Sequence, residues 1–213
     1  MKNKLGFVIA IALFLLLAGG AGFYFGYWRN TPIYSLSLAK NAIEVHDCAE
    51  FQRRIDLDTL LSYAYDDITD SAIDKAVSSV PVLGAIFGRD LAKGAADIAK
   101  GKVVELCRRQ IMDYVERGSG GVKKKESPFG MNINFAVLDS IVLGGSVVEY
   151  THIEGDTAKI GVKLYPRNLT DGFVFQLEMQ KFHGVWRLTR ITNLRAFCDT
   201  LGGAKGDGAE RPD

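Results

Sequence analysis

The chain opens on an apolar run. Between Leu5 and Trp28 no charged residue occurs, and about 20 apolar residues suffice for a helix to cross a hydrocarbon core of roughly 30 Å. Backbone amides in lipid must bond within their own segment, so the run predicts one uninterrupted helix. Lys2 and Lys4 precede it, while Phe23, Tyr24, Phe25, Tyr27 and Trp28 crowd its far end. Positive charge favours the cytoplasmic side and aromatic rings the opposite headgroup layer. The expectation is a single-pass anchor in the cell inner membrane, with the C-terminal part extracytoplasmic. A cleaved signal peptide is the alternative, since Ala18 with Gly20, or Gly19 with Ala21, offers small residues to a peptidase. Gly22 and Gly26 form a small-xxx-small pair of the kind that lets two membrane helices pack. That pair alone does not fix an oligomeric state.

Beyond the anchor the period is helical. Leu36, Ala39, Ala42 and Ile43 recur at helical spacing after Ser35, which reads as the N-cap. That helix ends near His46-Asp47. Cys48, Phe51 and Ile55 mark a second short helix opposite Arg53 and Arg54, and Asp58 reads as the cap of a third bearing Leu60 and Leu61. Val80 to Gly88 is apolar but too short to span a bilayer. Within it Val82, Leu83, Ile86 and Phe87 are expected to form a packing or contact surface. Leu91, Ala95 and Ile98 make one helical stripe; Val103, Cys107, Ile111 and Tyr114 make another, displaced round the axis. The displacement predicts two helices or a kink near Gly101. Gly118 to Gly121 end the helical part.

The last third alternates. Ala158, Ile160, Val162 and Leu164 interleave with Lys159, Gly161 and Lys163; Phe173, Phe175, Leu177 and Met179 interleave with Val174, Gln176, Glu178 and Gln180. Turns at Glu154-Gly155-Asp156, 166–172 and His183-Gly184 separate these runs into hairpins, and Trp186, Leu188 and Ile191 supply the next strand. A sheet apolar on one face needs cover, which the preceding helices provide. The predicted class is α+β: an N-terminal transmembrane helix, a helical segment, then a curved antiparallel β-sheet. Residues 1–30 form the anchor with its short cytoplasmic N-terminus. An extracytoplasmic domain follows over 31–200, with a helical part 31–118, a linker 119–130 and a sheet part 131–200. The glycine-rich 201–213 is expected to be a disordered tail.

Composition narrows the partners. Lys and Arg total 26 against 25 Asp and Glu, and no one-sign block dominates, so the electrostatic footprint of a nucleic-acid binder is missing. The membrane is the expected partner, with a protein of the envelope as a second candidate. Cys48, Cys107 and Cys198, an odd number, cannot form a complete intramolecular disulfide framework, and one bridge is open but not expected; with His46, His152 and His183 they offer no metal-ligand spacing. No metal and no cofactor are expected. Six aspartates, Asp56, Asp58, Asp66, Asp67, Asp70 and Asp74, lack the central Gly and closing Glu of a calcium loop. Helix caps and a wet helix face account for them.

Thr31-Pro32-Ile33-Tyr34-Ser35-Leu36, then Ala42-Ile43, His46-Asp47, Phe51 and Asp56-Leu57-Asp58 resemble the start of a bacterial family of membrane-anchored proteins classed as a domain of unknown function. Phe175-Gln176-Leu177 to Trp186-Arg187-Leu188, with Ile191-Thr192-Asn193-Leu194, is similar to that family's last hairpin. The layout also resembles the cone-shaped, cystatin-like fold of nuclear transport factor 2 and its relatives. The first resemblance implies an anchored domain and transfers no activity. The second implies a pocket between helices and sheet, and fold alone does not settle function.

The candidate chemistry is sparse. His46-Asp47 sits where one helix stops and another is capped. Tyr150 and His152 are the ligand-binding candidates, on a strand face read as shared with Val148. No nucleophile, second acid or oxyanion donor accompanies them, so no catalytic residue is assigned. The leading expectation is a membrane-anchored binding or interaction domain without catalysis. A small hydrolase or isomerase using His152 is the alternative, and a structural envelope component is the third reading.

Overall fold

A computed structural model of the chain describes residues 2–78, 88–118, 147–165 and 172–203. The segment carrying Val82, Leu83, Ile86 and Phe87 lies outside the described residues. Helix α1 (Lys2–Gly26) is followed by a single 3₁₀ turn (Trp28–Asn30). Its 25 residues would reach about 37 Å at 1.5 Å per residue. From Ile11 onward its side chains are exposed, Leu16 by 71%. It is long and apolar enough to cross a membrane.

Helix α2 (Pro32–Glu44) is capped by Thr31 rather than Ser35: the Tyr34 amide donates to Thr31 Oγ1 at 3.2 Å, and Pro32 holds the first helical position. Proline fits there because its missing N–H needs no partner, which fixes the cap one residue earlier. Ser35 is buried inside the helix instead. Helix α3 (Cys48–Arg54) follows a reversal at His46, whose φ is 61°, and Asp47 caps it by accepting the Ala49 and Glu50 amides. Helix α4 (Leu57–Ser78) is capped by Asp56, which accepts the Thr59 amide at 3.2 Å, and not by Asp58. The cause lies next door, where Ile55 is held extended by a parallel bridge to Leu188 and Leu57 is buried. The helix can therefore begin only between them.

Helix α5 (Arg89–Arg117) runs on through Gly101 as one helix, so of the two expected forms, two helices or a kink, the first is not what forms. Its inward face starts with the half-buried Ala92, Ala96 and Ala99 and runs on through Val103 to Tyr114. Leu91, Ala95 and Ile98 point the other way, and Ile98 is 86% exposed. Small alanines carry too little hydrophobic signal to outweigh a Leu and an Ile, so periodicity favoured the wrong face.

Six aspartates and their partners set how the helices register. Between α4 and α5 the ion pairs are Asp58–Arg108, Asp66–Lys100, Asp70–Lys93 and Asp74–Arg89, an antiparallel ladder. On the other flank of the helix, Asp67 meets Arg190 and Asp74 also meets Arg195, while the cap residue Asp56 pairs with Arg187. The wet helix face expected for these residues is a clamped one. Exposed pairs contribute about 0–1 kcal/mol each, so the ladder selects register more than it stabilises.

The sheet is a meander, β1 (Val147–Glu154), β2 (Thr157–Leu164), β3 (Phe173–Phe182) and β4 (Val185–Ile191), antiparallel in the order β1-β2-β3-β4. Ala158, Ile160, Val162, Leu164, Phe175, Met179, Trp186 and Leu188 are buried on one face. Leu36 of α2 and Leu60 of α4 pack on that face. Helix α6 (Leu194–Gly203) adds Phe197, which sits against Phe173 and Phe175. A second cluster, Ala42, Phe51, Leu57, Tyr114 and Val115, joins α2, α3, α4 and α5.

Candidate functional site

Two places on the sheet carry the chemistry, and they lie on opposite edges. On the β4 edge, the Trp186 indole N–H donates to the Asn30 carbonyl at 2.7 Å, and Ser35 Oγ donates to the Trp186 carbonyl at 2.5 Å. Asn30 Nδ2 reaches back to the Gly26 carbonyl at 3.1 Å, and Thr31 Oγ1 donates to the Trp28 carbonyl at 2.8 Å. Tyr24 and Tyr34 meet edge to face, ring centroids 6.4 Å apart, with their hydroxyls at 3.5 Å. The end of α1 is therefore fastened to both α2 and β4. Asn30 gave no sequence signal for this, because a main-chain acceptor is common to every residue.

Along the β1 edge every residue is exposed. The register explains which way each side chain points. Val148 lies opposite Val162, but Tyr150 lies opposite Gly161 and His152 opposite Lys159, so Glu149 is the extra residue of a β-bulge. The expected sharing of one face by Val148, Tyr150 and His152 is thus corrected: Val148 takes the core face of the sheet, while Tyr150 and His152 take the outer one. Alternation alone cannot show a bulge, because one inserted residue reverses every following side chain. The Tyr150 ring covers Gly161 so closely that a Cβ there would fall 2.2 Å from Tyr150 Cε1. Gly161 is buried by that ring.

His152 Nε2 donates to Glu154 Oε1 at 2.9 Å in full solvent. Its hydrogen bond and then its charge hold the Glu154 carboxyl below the usual range. The structure thus brings Tyr150, His152 and Glu154 together on one exposed strand. His46 is elsewhere, donating through Nδ1 to the Val115 carbonyl at 2.8 Å, which ties the α2–α3 reversal to the end of α5. His183 occupies the β3–β4 turn with φ 49°.

The cysteines do not form nucleophilic sites. Cys48, Cys107 and Cys198 are free, and burial is the main cause raising each thiol, away from the reactive thiolate. Comparison of the chain with family models, with curated proteins and with solved structures finds no match.

Proposed function

We propose that this chain is a single-pass membrane protein whose α+β domain stands on the outer face of the inner membrane and serves as a binding or interaction module. The observation that carries the reading is the apolar helix α1, whose side chains from Ile11 to Gly26 are exposed, joined to the domain by hydrogen bonds rather than by a slack linker. A helix of this length left in water would expose far more apolar surface than soluble proteins tolerate. Lys2 and Lys4 ahead of it support a cytoplasmic N-terminus. On this reading the domain binds through the outer face of β1, where Tyr150 offers a ring and the His152–Glu154 pair offers polar contacts. The helices preceding an antiparallel sheet support a cone resembling that of nuclear transport factor 2. The opening residues support membership in the anchored bacterial family. Proximity crosslinking of the full-length chain in its membrane, from an affinity label on β1, tests the reading. Specific envelope adducts lost in Tyr150→Ala support it; a chain released from membranes by salt, or adducts indifferent to Tyr150, sinks it.

The same His152–Glu154 pair favours a second reading, a small hydrolase or isomerase in which the imidazole moves a proton. A turnover abolished by His152→Ala with binding intact would select it.

A further inference from the structure

We infer that the β3–β4 hairpin tip is a second membrane contact, resting in the lipid headgroup layer beside the exit of α1. The inference rests on α1 spanning the membrane. Three observations lead to it. First, the α1 exit is fixed to the tip end of β4: Trp186, bonded to Asn30, lies opposite Lys181, and Phe182 opposite Val185 is the next pair outward. The tip therefore stands about 7 Å beyond Trp186, two residues at 3.3 Å each. Second, the tip carries the side chains that interfaces select. Phe182 is 41% exposed; the Arg187 guanidinium lies 5.9 Å from its ring, and Lys181 Nζ lies 5.6 Å from the Trp186 ring. An aromatic ring flanked by cations suits the boundary between acyl chains and phosphates. Arg29 adds a third cation at the helix exit. Third, the tip is a tight turn. His183 and Gly184 both take positive φ, 49° and 80°, as a two-residue hairpin turn requires.

The neighbouring β1–β2 turn is tied to the tip by the Lys181 amide, which donates to the Asp156 carbonyl at 2.8 Å. Its acidic Glu154 and Asp156 lie on the strand side away from β4. Arg187 is shared with Asp56 at 3.9 Å and the Gln52 carbonyl at 3.4 Å, so among the described residues here Lys181 and Arg29 are the cations left to meet phosphate. Continuity with the anchor and these charges together assign the tip to the bilayer.

The test uses the full-length chain with Cys48→Ser, Cys107→Ser and Cys198→Ser, placed in vesicles of phosphatidylethanolamine and phosphatidylglycerol. A nitroxide is attached at one position at a time, through Leu15→Cys, His183→Cys or Gln176→Cys. Depth is read from relative accessibility to oxygen and to a water-soluble nickel complex. The expected result is deep burial at 15, headgroup-level shielding at 183, and full water exposure at 176. Phe182→Glu should raise nickel accessibility at 183 several-fold, to the value at 176, leaving 15 unchanged. If 15 is deep and 183 matches 176 with Phe182 present, the inference fails and the anchor survives. If 183 is shielded yet indifferent to Phe182→Glu, the tip is not the contact and the inference fails. Water accessibility at 15 sinks the anchor, and the inference with it.

Discussion

The two edge strands of the sheet both place apolar residues on its core face and end up in opposite states. At β4 the outer edge receives a parallel bridge from Ile55, the Asp56 amide donating to the Leu188 carbonyl, an ion pair from Asp67 of α4 to Arg190, and the Asn30 carbonyl. At β1 every side chain is exposed, including Val148 and Ile153, which lie on the core face. An alternating apolar face therefore shows which residues could be buried, and helix placement decides which are. Among the described residues no strand pairs with the outer side of β1, which carries a bulge at Glu149 and the charges of Glu149 and Glu154, features that discourage indiscriminate pairing. An edge kept exposed yet guarded is where selective binding can occur.

Substitution separates the two edges, and the largest effect belongs to the fastened one. Trp186→Ala removes a buried indole that packs the core and holds Asn30, and should cost about 3 to 5 kcal/mol in chemical denaturation; Val148→Ala on the free edge should cost within about 0.5 kcal/mol. Similar losses for the two would erase the asymmetry. Gly161→Val should cost about 1 to 3 kcal/mol by driving a branched side chain into the Tyr150 ring. Pairing it with Tyr150→Ala should recover most of that loss, a non-additivity that a double-mutant cycle reads directly. Ser35→Ala, which strips the donor from the Trp186 carbonyl, should cost about 1 to 3 kcal/mol if that carbonyl stays dry. The smallest effect is a pH dependence at α6. Hydrogen bonding from Lys75, then from Ser71, holds the Asp199 carboxyl below its ordinary value of 3.8. A lowered folded pKa means that Asp199 contributes stability above 3.8, lost as pH falls through the folded value. Asp199→Asn should therefore be slightly less stable than the parent at neutral pH, and the gap should close in acid. A gap that persists below that range would point to packing instead of charge.

Much of the architecture was legible in the chain. The charge-free run before Trp28, the three alternating strands from Ala158 onward and the Asp47 cap each follow from one dominant local signal. The misreadings share a cause as well. Thr31 and Asp56 hold the caps that the pattern assigns to Ser35 and Asp58, because several polar residues stand near each helix start, and Pro32 and the Ile55 bridge decide between them. The six aspartates needed their partners on α5, β4 and α6 before they could be read as a clamp, although Arg89, Lys93, Lys100 and Arg108 share a helix face in the sequence. Helix α6 was missed because Phe197 is its single large aromatic before the glycines begin. For the candidate site, Tyr150 and His152 were found by residue type, but their outward orientation depended on a bulge that carries no compositional mark. Glu154 was read as a turn residue and proves to be the His152 partner.

The most direct test is amide hydrogen exchange of the full-length chain in lipid nanodiscs, comparing 185–191 with 147–154. Protection of 185–191 should approach that of global unfolding, with exchange several-fold faster across 147–154, because the outer amides of β1 have no strand partner among the described residues. Selective slowing of 147–154 on addition of a crosslinked partner would follow. Equal protection of the two strands in the chain alone would contradict the account, since β1 would then be covered and unavailable as a binding edge.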